Sequence, residues 1–418
     1  MPGAERGKHQ VLVSAENADS EEPMIPRTGT LSWIRACTIG VTMCACADAP
    51  TRMLQPTSPQ RDAVKFWEDN ATTRWNQRAT GLFGTTTLAN GQAAASRILT
   101  YLSIAQYRAA LAAEAGKDGP SHPSVSAAIG AASVVVLSNF YQQSASTLES
   151  QLDADLAAPG WPGRKNQDVQ SGEAIGRAVG AAVLAQAATD NYLVVVPPAQ
   201  PPGPGKWVPA PNVVRSLYGV RPFFLTSADQ IRPGPPPAFG SPEFQAALAE
   251  IRTISDTRTA EQSQIALAWA FQTAPFTAGG ENLIADEIIV KHHRSERDAA
   301  RILAYANAAA FDAQIACWDA KFFYYFIRPS QADPAITVQP GLTLPNHPSY
   351  PSAHQCITAA IMSVLIDAFP NERPRLEEII RLAGLSRMYA GIHYRFDIEG
   401  GQSIGRRAAA LALAGSLE

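Results

Sequence analysis

The sequence predicts an all-α protein of two packed helical bundles, with a disordered N-terminal extension and a proline-rich connection. Three observations carry this. Apolar residues recur at helical spacing through most of the chain, the helical runs are alanine-rich with glycine or proline between them, and no alternating strand pattern stands out. A chain of 418 residues, 46% of them hydrophobic, can bury a sizeable core and is too long for one simple bundle.

Residues 1–60 are polar, proline-containing and without periodicity, so little order is expected there. Within them, ACTIGVTMCACA (36–47) carries no charge, follows Arg27 and Arg35, and ends in Ala45-Cys46-Ala47. Read from Met24 as an internal start, the stretch 24–47 resembles a secretory signal, which would make the protein periplasmic or secreted. The alternative is a disordered extension on a cytoplasmic protein. The folded part is expected from Val64-Lys65-Phe66-Trp67, and residues 61–193 form the first bundle. Its helical runs are 91–116, 124–152 and 170–190.

Residues 194–244 hold proline too dense for helix or central strand (VVVPPAQPPGPGKWVPAPN and IRPGPPPAFGSPEF). They read as an extended connection packed through Trp207 and Phe223-Phe224. Residues 245–418 form the second bundle, with runs at SPEFQAALAEIRTI, SQIALAWAFQ and SERDAARILAYANAAAFDAQIACWDAKFFYYF. A helix after Ser352 and two more complete it.

A net charge of -3 without a long basic run excludes a nucleic-acid footprint. No apolar segment reaches membrane-spanning length. Of five cysteines, Cys37, Cys44 and Cys46 lie in the signal-like stretch, while Cys317 and Cys356 sit in apolar helical patterns. That usage gives neither a disulfide framework nor a metal cluster. Adjacent His292 and His293 point about 100° apart on a helix and make a poor joint metal site.

Three patches of the second half carry basic or proton-transferring residues. In WDAKFFYYFIRP (318–329), Lys321 and Arg328 are seven apart, which puts them on one helix face with Trp318, closed by Pro329. In HPSYPSAHQ (347–355), Ser352 takes an N-cap position with Gln355 as its capping-box partner. His354 then falls at the mouth of a buried helix, on the stripe of Ile357, Ile361 and Leu365. In SRMYAGIHYRFDIEGGQSIG (386–405), His393 and Asp397 are i and i+4, so the carboxylate can take one ring N–H. Gly401, Gly405 and Ala409 continue that row and admit another helix closely. Each patch alone also reads blandly, as snorkelling cations, a satisfied core histidine or a surface ion pair.

Together they resemble a known signature. Lys321, six residues, Arg328-Pro329; Pro351-Ser352-Ala353-His354; Ser386-Arg387, five residues, His393, three residues, Asp397. This is similar to the three-part pattern of vanadium-dependent haloperoxidases and their relatives, the type 2 phosphatidic acid phosphatases and bacterial class A acid phosphatases. The helical first half is also similar to the extra bundle of the haloperoxidases.

The resemblance implies a cage for tetrahedral vanadate or phosphate. His393 would be the axial ligand of vanadium, or a phosphatase nucleophile forming a phosphohistidine, with Asp397 fixing its tautomer. Lys321, Arg328 and Arg387 would neutralise the oxyanion, and Ser352 and the Ala353 N–H would donate to it. His354 would be the acid–base residue opposite. Trp318 and His347 match site residues of some haloperoxidases and would border a halide pocket. The implied cofactor is vanadate, or none in a phosphatase. The implied partners are hydrogen peroxide, halide and an organic acceptor, or a phosphate ester.

Haloperoxidase leads on length and on Trp318 and His347; acid phosphatase is the alternative. One departure is Ala353, where the family usually has glycine. If that backbone needs positive φ, Cβ costs about 1 kcal/mol or more. The departure favours a third reading, a non-catalytic oxyanion-binding helical protein.

Overall fold

The computed structural model describes residues 71–83, 91–116, 122–157, 166–271 and 277–417. The expected disorder of 1–60, the signal-like stretch and its three cysteines, and the start near Val64 lie outside the described residues. Within them the protein is all-α. Thirteen α-helices are joined by turns, and β pairing is limited to one isolated antiparallel bridge, Lys206 with Phe326.

The first-half helices are α1 (Ala71–Phe83), α2 (Gly91–Ala115), α3 (Val125–Phe140), α4 (Ala145–Leu156) and α5 (Gln167–Ala187). Side chains start several of them. Ser124 accepts from the Ala127 N–H at 3.2 Å and Asn166 from the Asp168 N–H at 2.8 Å, each satisfying a donor the helix leaves open. The run expected as one helix over 124–152 is broken. Tyr141 (φ -124, ψ 63) ends α3, and a short 3₁₀ turn precedes α4. No glycine or proline marks the break.

The second half holds α6 (Pro242–Thr257), α7 (Ala260–Phe271), α8 (Thr277–Lys291), α9 (Glu296–Tyr324), the four-residue α10 (Pro329–Ala332), α11 (Ala353–Ala368), α12 (Arg373–Tyr389) and α13 (Arg395–Ala414). Helix α8 was not expected from the sequence. Its inward face carries Glu281, Asn282 and Asp286, all buried, so its apolar period is masked. Asn282 exchanges amide hydrogen bonds with Asn307 of α9 at 2.8 and 2.9 Å, and Asp286 accepts from Asn76 of α1 at 3.0 and 3.1 Å.

One buried apolar cluster runs from Ala71 through α2, α3, α9, α11 and α13 to Leu417. Helix α9 lies against both α2 and α11, and α13 against α11. The small-residue row of α13 sets that last distance. A Cβ added at Gly401 would lie 2.5 Å from the Ser352 carbonyl oxygen, and one at Gly405 would lie 2.5 Å from that of Cys356.

The proline-rich connection runs over the end of α9. Trp207 is buried, its backbone N–H donates to Tyr325 O at 2.9 Å, and its ring meets Tyr325 edge-on at 5.3 Å. The backbone N–H groups of Phe223, Phe224 and Leu225 donate to the buried Asp312 carboxylate at 2.8, 2.7 and 3.0 Å. Chain without regular structure is thus fixed at two points along this stretch.

Candidate functional site

The site forms where the end of α9 and the starts of α11 and α13 meet. Lys321 lies in the last turn of α9 and is fully buried. Its ammonium donates to the carbonyls of Pro348 at 2.9 Å and Ser349 at 2.8 Å, and to that of Pro351. Burial pushes its pKa down to about 8, although three carbonyl acceptors favour the charged form.

Lys321 and Arg328 do not share a helix, contrary to the spacing argument. Tyr325 turns into the left-handed region (φ 55, ψ 41) and caps α9, and the chain runs extended to Arg328, which caps α10. Both cations still reach the same place. Arg328 is fully buried and donates through Nε to His347 O at 3.0 Å and through Nη1 to Ile392 O at 2.7 Å. Nη1 also faces His393 Nε2 at 3.1 Å, and Nη2 faces His347 Nδ1 at 3.1 Å. The His347 ring lies 5.2 Å from that of Trp318, one turn before Lys321.

His393 and Asp397 also do not share a helix, because α13 begins at Arg395 and His393 precedes its cap. The expected contact forms nonetheless, with His393 Nδ1 2.8 Å from Asp397 Oδ2. Since Nη1 of a guanidinium can only donate, Nε2 carries the lone pair and Nδ1 the proton. Asp397 Oδ2 accepts further from Ser349 Oγ at 2.6 Å and from the Tyr394 N–H at 3.1 Å. Burial raises this carboxyl to about 6. Burial first, then Arg328 and Lys321, hold the His393 pKa well below the ordinary imidazole value.

Ser352 caps α11 with its backbone, its N–H donating to Asp397 O at 2.8 Å. The expected capping box is absent. Gln355 Nε2 turns to Ile380 O at 3.1 Å, and the buried Ser352 hydroxyl has no partner among the described residues. Ala353 opens α11 and is not among the positive-φ residues, so the backbone cost considered for a Cβ there does not arise. His354, next in the helix, is half-buried; burial and then Arg387 hold its pKa low. Arg387, in the last turn of α12, donates to Ala266 O and Ser386 Oγ, each at 3.0 Å. Burial brings Arg328 and Arg387 down to about 10.

Sequence reasoning missed Ser349 and the carbonyl of Ala266. Only Ser349 carried a signal, as a serine inside HPSYPS. Among the described residues no group of three or more acidic, histidine or cysteine side chains could hold a cation. His292 instead pairs with Glu372 at 2.9 Å.

The electrostatics call for an anion. Lys321, Arg328 and Arg387 are buried, and among the described residues Asp397 is the one carboxylate acting on Lys321 and Arg328, so positive charge is left in excess there in a low-dielectric place. The open hydroxyl of Ser352 and the first N–H groups of α11 offer donors in the same place. This donor set suits a tetrahedral oxyanion such as vanadate or phosphate.

Comparisons with known proteins bear on the fold. Residues 300–416 match the PAP2 superfamily. Among solved structures, the chain is similar to a bacterial vanadium-dependent iodoperoxidase at 22% identity and a TM-score of 0.66, over 87% of this chain and 98% of that one. It is also similar to a bacterial vanadium-dependent chloroperoxidase: the apo form at 13% identity and TM-score 0.61 (78% and 95% covered), the holo form at 13% and 0.60 (78% and 92%). Comparison with curated proteins gives no match. Residues 300–416 thus match the PAP2 superfamily, within a fold like that of the vanadium haloperoxidases.

Proposed function

We propose that the chain is a vanadium-dependent haloperoxidase, oxidising halide with hydrogen peroxide. The observation that carries this is His393 beside buried Arg328 and Lys321, its Nε2 lone pair facing Arg328 Nη1 at 3.1 Å, with a buried Ser352 hydroxyl that has no partner among the described residues. Similarity to haloperoxidase structures over 87% of this chain, first half included, supports this over a phosphatase built on the second half alone.

His393 would hold the vanadate through Nε2, with Asp397 keeping the proton on Nδ1. Arg328, which donates to that nitrogen here, would turn its charge to the oxyanion, together with Arg387. Lys321 supplies charge from behind the loop whose carbonyls it binds. Ser352 Oγ and the Ala353 N–H would donate to oxyanion oxygens. Bound vanadate supplies Lewis-acid activation of peroxide without changing oxidation state. His354, half-buried and held neutral, would take a proton from incoming peroxide and return it to the departing oxygen.

The second reading is an acid phosphatase. A lone pair on His393 Nε2 backed by Asp397 equally suits attack on phosphorus, and the PAP2 match covers every cage residue from Lys321 to Asp397.

One assay separates them. Purified protein freed of phosphate receives peroxide and halide, with and without orthovanadate, and in parallel a phosphate monoester. Halide oxidation only with vanadate is expected. Monoester hydrolysis that vanadate inhibits, with no halide oxidation, would install the second reading.

A further inference from the structure

Part of the proline-rich connection, Gly205 to Val214, crosses the site as a strap without helix. Its start pairs with the chain between α9 and α10, the Trp207 N–H donating to Tyr325 O at 2.9 Å and the Ile327 N–H to Gly205 O at 3.0 Å. Its middle is held by a side chain of α10. Gln331 Nε2 donates to Val208 O at 2.7 Å, and Gln331 Oε1 accepts the Val208 N–H at 3.2 Å. Its end is held by Asn346. Nδ2 donates to Ala210 O at 3.0 Å and Pro211 O at 2.8 Å, and Oδ1 accepts the Ala210 N–H at 2.9 Å. The Asn346 carbonyl accepts the Val214 N–H at 3.0 Å.

Pro209 and Pro211 take N–H donors out of the strap, so it cannot continue a β ladder. Two carboxamides supply instead the paired donor and acceptor that a neighbouring strand would give. Both end anchors adjoin the cage. Arg328 directly follows Ile327, and His347 directly follows Asn346. Those two are joined in turn, His347 O accepting from Arg328 Nε at 3.0 Å. The strap also supplies the acceptor of Trp318, whose buried indole N–H donates to Val214 O at 3.4 Å while its ring lies 5.2 Å from that of His347. Asn346 thus governs Trp318 through Val214, and His347 through the chain.

We propose that Asn346 is the buckle of this strap and a positioning residue for halide, setting Trp318 and His347 from outside the cage. The inference rests on the haloperoxidase reading. A buried indole N–H whose acceptor moves away follows it or turns elsewhere, and the ring goes with it. The oxyanion is less exposed to such a change. Arg328 keeps its bond to Ile392 O and its contact with His393 without help from the strap. Asn346 therefore acts on halide affinity more than on oxyanion affinity.

The test compares the native protein with Asn346→Ala in three readouts: the ¹⁵N–¹H signal of the Trp318 indole (assigned by its loss in Trp318→Phe), the iodide KM with vanadate and peroxide, and orthovanadate affinity by calorimetry. In Asn346→Ala the indole signal should move and the iodide KM rise about fivefold or more, with orthovanadate affinity changed by less than about threefold. Gln331→Ala releases only the middle of the strap. It should shift the same signal and KM in the same direction but less far, and it carries the test if Asn346→Ala does not fold. An indole signal that stays in place in both variants overturns the buckle. Orthovanadate affinity that falls as far as the iodide KM rises also overturns it, since Asn346 would then support the whole cage. Native protein that oxidises no iodide with vanadate present overturns the haloperoxidase reading, and the halide role with it. Oxidation with an unchanged iodide KM in the variants overturns the halide role alone.

Discussion

Ser349 Oγ donates to Asp397 Oδ2 at 2.6 Å, and that oxygen is the one that accepts His393 Nδ1. Lys321 fixes the backbone of the same serine by binding its carbonyl at 2.8 Å. Ser349 is therefore a positioning residue, holding the carboxylate that sets the His393 tautomer. Ser349→Ala should lower turnover roughly tenfold, and Ser349→Thr should restore it. The ¹⁵N spectrum of His393 should show mixed tautomers in the alanine variant alone. A wild-type spectrum there would remove the role.

Ser352 separates binding from stability. Its hydroxyl is buried without a partner among the described residues, so the folded protein loses little when it goes. Ser352→Ala should leave the melting temperature unchanged or slightly higher, yet weaken orthovanadate binding about tenfold or more, as expected for a hydrogen bond to a charged group. A variant that melts early and binds normally would show the hydroxyl to be structural.

Gly401 carries the packing between α11 and α13. A Cβ there would sit 2.5 Å from Ser352 O and 3.0 Å from Gln355 Cβ. Gly401→Ala should cost about 2 kcal/mol or more, read by urea unfolding. Because the displaced atom belongs to the cap of α11, oxyanion affinity should fall as well. Full stability in the variant would mean that the two helices stand further apart than described.

Stability should carry the signature of Glu281. Burial raises its carboxyl from 4.5 to about 8, with the Thr358 hydroxyl bond only partly opposing this. The folded protein thus keeps a proton that the unfolded chain has lost, and folding stability falls as pH rises. The contribution is fully present below pH 4.5 and is lost as pH passes 8. Glu281→Gln carries no such titration, so its stability relative to the native protein should grow between pH 5 and pH 8, by up to a few kcal/mol. An unfolding difference that stays flat across that range would contradict a buried, protonated Glu281.

The fold class was legible because Ala-rich helical runs and dense proline leave few alternatives. Boundaries and one helix were not. The run FFYYF continues a helical pattern, and nothing in it announces that Tyr325 will turn left-handed and end α9. The polar residues of α8 look like a solvated face, yet Glu281, Asn282 and Asp286 point into the interior and pair there. In the site, spacing led to His393 and Asp397 for an incomplete reason. Their contact spans the start of α13 rather than one helix face. Ser349 stayed hidden because its partner lies 48 residues away, beyond any local pattern.

The central claim is that the cage holds a tetrahedral oxyanion on His393. Orthovanadate titrated calorimetrically into phosphate-free protein tests it most directly, with His393→Ala alongside. We expect one site per chain in the native protein and a loss of roughly a hundredfold in affinity in the variant, with its melting temperature kept. Equal affinity in the two proteins, or no binding to the native one, would contradict the account.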